Sequence, residues 1–189
     1  GVALSRGALK LDLKQATPGT DTYPAGGYYG GNFYNAGSFL VGQATSPIVT
    51  TGFAFTEAIA SWNADTPAGS WIETQISARF GTRWTKWYNL GIWAADESTI
   101  KRHSVKLQGD NDGFVAVDTL VLVNKKESAD AFQLKVRLFS VNSAAPTVRN
   151  MSVAFSTTAG KTGTLPAGNP ALWNKLLNVP LCSQMVYAD

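Results

Sequence analysis

The sequence predicts an all-β protein, an antiparallel β-sandwich of jelly-roll type. Three observations predict it. Several segments alternate apolar and polar side chains with a period of two, turn-forming residues separate these segments at short intervals, and helical periodicity is almost absent. Apolar residues make up 44% of the 189 residues, so one ordinary domain with a hydrophobic core is expected. We expect the sandwich to span residues 40–157.

Alternation marks the individual strands. Before residue 40 only the segment 8–13 alternates, so residues 1–39 are predicted to be an N-terminal arm or the first strands. Residues 72–80, 132–138 and 151–155 alternate clearly and predict half-buried strands. We expect the resulting sandwich to be similar to galactose-binding-like domains.

Other segments follow different patterns. Residues 113–123 are apolar on nearly both faces, which predicts a central strand, and the aromatic-rich residues 85–93 predict another strand. A helix is predicted only near residues 170–177, where Pro170 would stand in the first turn. Turns are predicted where Gly, Pro, Asp and Asn cluster, at residues 65–69, 80–82, 110–113 and 143–146.

Charge and hydropathy exclude several function classes. The chain has 16 Lys and Arg against 13 Asp and Glu, and these bases are scattered, so no nucleic-acid partner is predicted. No apolar run approaches the roughly 18 residues of a membrane-spanning helix. No cofactor is predicted.

A catalytic dyad is the first chemical hypothesis, because Cys182 and His103 are the only Cys and the only His. His103 lies in the polar run 101–104, which is typical of a solvated surface. Cys182 has no helix start behind it to lower its pKa, and a single Cys also excludes an internal disulfide. We therefore expect no catalytic residues in this chain.

Acidic residues suggest a metal site or a glycosidase pair, and neither is strongly indicated. Asp110 and Asp112 flank a Gly-containing loop that resembles a calcium loop, but the terminal Glu is missing and a hairpin turn explains the same residues. We predict no metal. The carboxylates of Glu57, Glu73, Asp65 and Asp96 show no pairing, and Glu73 is expected to face outward on its strand.

Tryptophan is the distinctive feature between residues 62 and 93. At least half of these tryptophans are expected to fill the core, and one or two to be exposed and stack on a sugar ring. Alternation places Trp84 and Tyr88 on one face and Trp87 on the other. The candidate ligand-binding residues are Trp84, Trp87, Tyr88, Trp93, Arg79 and Arg83.

Two stretches resemble a known family. Residues 45–73 (TSPIVTTGFAFTEAIASWNADTPAGSWIE), with RWTKWY at 83–88, resemble the N-terminal region of secreted bacterial papain-like cysteine peptidases. That peptidase belongs to the superfamily of the bacteriocin-processing, double-glycine leader peptidases. Residues 178–189 (NVPLCSQMVYAD) resemble the entry into the peptidase domain.

The resemblance implies that Gln184 matches the oxyanion-hole Gln of that domain and that Cys182 does not match its nucleophile. It implies that residues 158–189 are a linker and the start of a peptidase domain absent from this sequence. We therefore expect a non-catalytic accessory module, secreted or at the cell surface, that binds a carbohydrate or cell-wall polymer beside its own peptidase domain. The alternative is a structural or assembly domain that orients the peptidase or pairs with neighbouring chains.

Overall fold

The computed structural model describes residues 1–21, 37–123 and 129–157, and within these ranges every regular element is a β-strand. In chain order the strands are β1 (Val2–Ser5), β2 (Ala8–Leu11), β3 (Thr17–Thr20), β4 (Ser38–Thr45), β5 (Val49–Phe55), β6 (Glu57–Asp65), β7 (Ser70–Phe80), β8 (Arg83–Trp84), β9 (Tyr88–Trp93), β10 (Gly113–Ala116), β11 (Thr119–Leu122), β12 (Ala129–Ser140) and β13 (Thr147–Ser156). They pair antiparallel in two open sheets, which confirms the predicted β-sandwich. Similarity to galactose-binding-like domains stays a prediction. The predicted helix at 170–177 lies outside the described residues.

Sheet A has the order β1-β2-β13-β6-β11-β10. Its two central strands, β13 and β6, pair along their whole length, from Thr147 opposite Asp65 to Ser156 opposite Glu57. Two hairpins flank this pair at opposite ends, because β2 pairs with β13 only at residues 147–148 and β11 pairs with β6 only at residues 57–59. Past these short pairings, no strand in the described ranges covers the outer edge of β13 or of β6.

Sheet B is organised around β12. One edge of β12 pairs with β7 over its full length, and the other edge pairs first with β5 and then with β4. β3 extends the sheet beyond β4, and both β8 and β9 pair with the outer edge of β7. The chain passes from sheet B to sheet A at Thr56, between β5 and β6.

The main core lies between the sheets, where β7 contributes Ile72, Ile76 and Ala78, as its alternation predicted. A second core lies on the outer face of sheet B. There the Trp71 ring stacks on Phe139 with centroids 5.0 Å apart and planes within 6°, and Phe39 meets Trp71 edge-on. The segment after β9 covers this outer core through Ala94, Ile100 and Val105.

Two sequence predictions are wrong because of these arrangements. Glu73 was expected to face solvent, but it is 0% exposed, since the outer core and the segment after β9 cover its face of β7. Residues 113–123 were expected to form one central strand, but they form the hairpin β10–β11 at the edge of sheet A. The hairpin turns at Val117, which has a positive φ of 62° and is 72% exposed. Because the turn contains no Gly or Pro, the sequence did not predict it.

Candidate functional site

Three of the predicted ligand-binding residues share the outer face of sheet B. Trp84 lies opposite Arg79 in the β7–β8 pairing, and the Arg79 guanidinium is 6.0 Å from the Trp84 ring centroid. Trp87 lies under Lys135, whose ammonium is 3.9 Å from its ring centroid. Both tryptophans are half-buried. Each of these indoles therefore already has a cation of the chain itself over one face.

The remaining predicted residues lie elsewhere. Tyr88 is opposite Ile76 and buried in the inter-sheet core, so the prediction that Trp84 and Tyr88 share a face is wrong. The alternation fails because residues 85–87 leave the strand, and the Thr85 hydroxyl there accepts a hydrogen bond from the Ala78 amide at 3.0 Å. Arg83 forms a two-point ion pair with Asp112, at 2.6 and 3.0 Å.

An ion pair between the buried Glu73 and the half-buried Arg137 lies next to Lys135 on the same outer face. Glu73 accepts a hydrogen bond from Gln75 at 2.5 Å and pairs with Arg137 at 3.4 Å. Burial raises the pKa of Glu73, although Arg137 and Gln75 act in the opposite direction. Burial, together with repulsion from Arg137, lowers the pKa of Lys135. This cluster connects β7 to β12 and has the character of a structural polar network.

A different pair of tryptophans lines a cleft of about 460 Å³ at the edge of the sandwich. We call it the tryptophan cleft. Its walls are residues 60–64 of β6, Trp93 at the end of β9 and Asp118 in the β10–β11 turn. Trp62 and Trp93 are both half-buried, and the Arg102 guanidinium lies 5.0 Å from the Trp93 ring centroid.

The tryptophan cleft exists because β11 pairs with only the first three residues of β6. One edge of β6 pairs with β13, but from Ala60 onward the opposite edge has no partner strand in the described ranges. The amide and carbonyl groups of that edge therefore line the opening. Trp93 was among the predicted residues, whereas Trp62 and Asp118 were missed. The inward position of Trp62 follows from the alternation of residues 58–64, but the length of β11 does not follow from the sequence.

The carboxylates of the two calcium candidates, Asp110 and Asp112, already form hydrogen bonds and ion pairs with other groups of the protein. Oδ1 of Asp110 accepts hydrogen bonds from the Tyr88 hydroxyl at 2.6 Å and from the amides of Asp112 and Gly113 at 2.9 and 3.0 Å. Burial tends to raise the pKa of Asp110, but these hydrogen bonds and that of Lys86 lower it to about 2. Across residues 1–21, 37–123 and 129–157, no three His, Cys, Asp or Glu side chains are grouped to hold a metal ion.

The residues of the catalytic hypotheses are described only in part. His103 is half-buried and exchanges two backbone hydrogen bonds with Ile92, at 3.0 and 3.1 Å. Cys182 and Gln184 lie outside the described residues. The other candidate carboxylates have local partners: Glu57 with Ser156, Asp65 with Arg149, and Asp96 with Ser98. None of the described segments contains a helix of the length and hydropathy needed to cross a membrane.

The comparisons with known proteins give one match. A family model described as "Peptidase C39 N-terminal domain" matches residues 1–156, which covers both sheets. No curated protein and no solved structure matches the chain.

Proposed function

Because the chain belongs to the peptidase C39 N-terminal domain family, we propose that it is the non-catalytic accessory module of a secreted bacterial cysteine peptidase and that its tryptophan cleft binds a carbohydrate. The family is that of an N-terminal domain distinct from the catalytic one, which supports an accessory role. The carbohydrate is proposed from the chemistry of the cleft.

The observation that carries this proposal is the placement of two indoles beside polar groups in one cleft. Indole rings offer flat apolar faces to the C–H groups of a sugar ring. The exposed carboxylate of Asp118 and the β6 backbone groups that no strand of the described ranges pairs offer acceptors and donors to sugar hydroxyls. The volume, about 460 Å³, lies within the usual range for small-ligand sites.

A weak site would suffice for this role. A module linked to an enzyme raises the local concentration of that enzyme at its ligand, with effective concentrations of about millimolar for short linkers. The carbohydrate would thus hold the peptidase near substrates at the cell wall. A purely orienting role needs no such ligand.

The test is binding of the chain to insoluble peptidoglycan and to a glycan array. Asp118→Ala is expected to weaken binding about tenfold, since a hydrogen bond to a charged group contributes roughly 1.5–3 kcal/mol. Trp93→Ala is expected to weaken it by a similar factor, because it removes the indole face on which the sugar ring stacks. Asp118 is exposed, so its replacement leaves the core intact. The matched controls are Trp84→Ala and Trp87→Ala on the outer face of sheet B, which should bind as the original chain does.

Two other binding results would favour a different site or a different role. Loss of binding in the Trp84 and Trp87 variants alone would move the site to the outer face of sheet B. Absence of binding in the folded original chain would leave the orienting role as the better account.

A further inference from the structure

A second cleft, of about 540 Å³, opens between the two sheets beside β13. We call it the apolar slot. Residues 149–153 of β13 form one wall, and the β1–β2 hairpin closes one end with Leu4, Gly7 and Leu9. The floor is provided by sheet B, through Val49, Phe132, Leu134 and Val136. Among the described residues that line it, Arg149 alone carries a charge.

Past Val148, the wall of the apolar slot is a strand edge without a partner strand in the part of the chain that the structure describes. β13 pairs with β2 only through Thr147 and Val148, and the register of β13 against β6 shifts between Val148 and Asn150. From Asn150 to Ser156 the edge has no partner among the strands of the described ranges. Alternate residues there direct amide and carbonyl groups toward the slot. Such an edge, next to an apolar floor, has the chemistry that binds another strand.

The floor of the slot limits which molecule can supply a strand that pairs with β13. β5 pairs with β12 at Val49 opposite Phe132, so it lies in sheet B beneath the position next to β13. The Phe155 ring of β13 confirms this stacking, with its centroid 5.1 Å from Phe53 and 6.3 Å from Phe132. A β13 strand from a second copy would bring its own opposing sheet about 10 Å below it, at the level of β5. The slot therefore fits a single extended segment and excludes a second sandwich.

The ends of the slot set the length of that segment. At one end the Gly7 turn of the β1–β2 hairpin abuts it, and at the other end Phe53 contacts Phe155 where the chain crosses between the sheets. Residues 149–153 lie between these ends, which corresponds to about five residues or ~17 Å of strand. Side chains that point into the slot must be apolar, because its floor is apolar.

We propose that the apolar slot binds an extended segment of a partner polypeptide, about five residues long with apolar side chains at alternate positions, which adds to β13 as a strand. The backbone edge supplies hydrogen bonds, and the floor selects alternating apolar side chains. This site is separate from the tryptophan cleft, which opens at the edge of β6, so its test is independent of carbohydrate binding.

The probe is a fluorescent heptapeptide, Lys-Val-Thr-Val-Thr-Val-Lys with blocked ends, titrated with the full chain and followed by fluorescence anisotropy. Two further peptides carry N-methyl groups on all the valines or on all the threonines. Alternate residues of a strand direct their amides to opposite edges, so one of these two peptides should lose binding and the other should keep it.

Variants locate the site without disturbing the fold. Val49→Asp and Leu4→Asp replace slot residues that are 41% and 77% exposed, and each should weaken binding about tenfold by placing a charge beside apolar side chains. Leu107→Asp is the matched control, because Leu107 is 83% exposed and lies outside the slot. It should bind as the original chain does.

Three results would overturn the proposal. The first is no saturable binding of the unmodified peptide. The second is equal binding of the two methylated peptides, which would indicate apolar contact without strand pairing. The third is a dimer, detected by light scattering, that Val49→Asp dissociates, since a second copy would then occupy the slot.

Discussion

Asp110 connects the loop before β10 to β9, and its protonation is expected to weaken the fold. Its carboxylate holds the Tyr88 hydroxyl, two backbone amides and Lys86. Asp110→Asn removes the charge with little change of size, and Tyr88→Phe removes the hydroxyl donor while the ring stays in the core. Each replacement, and the pair together, measures what this connection contributes to stability.

The magnitude follows from the pKa. The pKa of Asp110 is about 2, against an ordinary 3.8. At about 1.36 kcal/mol per pKa unit, this difference corresponds to about 2.4 kcal/mol. The side chain is 35% exposed, and solvent screening reduces the figure to about 1 kcal/mol. Because folding lowers this pKa, the stabilisation is present above pH 3.8 and is lost as the pH falls through about 2.

The assay is urea unfolding followed by tryptophan fluorescence at pH 7, 4, 3 and 2. At pH 7 we expect Asp110→Asn to lower the free energy of unfolding by about 1 kcal/mol, with a coupling to Tyr88→Phe of similar size in the double-mutant cycle. Both the loss and the coupling should approach zero at pH 2. A loss that stays constant from pH 7 to pH 2 would show that the charge of Asp110 contributes nothing, and the argument would fail.

Two further predictions concern the outer face of sheet B. Trp71→Ala should lower the free energy of unfolding by about 3–5 kcal/mol, because it empties a fully buried site stacked on Phe139; urea unfolding measures this, with half-buried Trp84→Ala as the milder control. Burial raises the pKa of Glu73, so its contribution to stability is complete below its ordinary pKa of 4.5 and is lost as the pH rises above it. Glu73→Gln should therefore gain stability relative to the original chain between pH 4 and pH 7 in the same assay, and the opposite trend would show that the Arg137 pair outweighs burial.

The parts of the fold that the sequence predicted depend on local alternation. Residues 72–80, 132–138 and 151–155 each show one apolar face, and each lies within a long strand. These strands are central, so the pattern of one face against the main core is strong. The four predicted turns also fall between strands, because Gly, Pro and Asp favour turns through their own backbone preferences.

The errors have a common cause in tertiary contacts. Burial of Glu73 depends on the coil after β9, which covers an outer face that alternation alone assigns to solvent. The turn at Val117 depends on a positive φ that a β-branched residue rarely adopts, so residues 113–123 look like one continuous strand.

The candidate site was predicted only in part for a similar reason. The indole of Trp93 was predicted as a ligand contact, but the cleft it lines requires β11 to stop short along β6. Strand length at an edge is set by packing of the whole sandwich. Residue types can indicate sugar-binding chemistry, but they do not locate the gap in a sheet where that chemistry becomes accessible.

The central positions of β12 and β13 have a consequence for biosynthesis. Each sheet is held together by one of these two strands, which are the last of the described chain to be made. Ser152 of β13, for example, reaches a partner on β6 that was synthesised 91 residues earlier. Sheet B can therefore not close on the ribosome until residues up to about 140 have emerged, and sheet A not until about 156; contacts so distant in sequence favour slow folding. The earlier strands can form hairpins but lack their β12 or β13 partners during that delay, which makes this module a candidate client for chaperones that protect exposed strand edges.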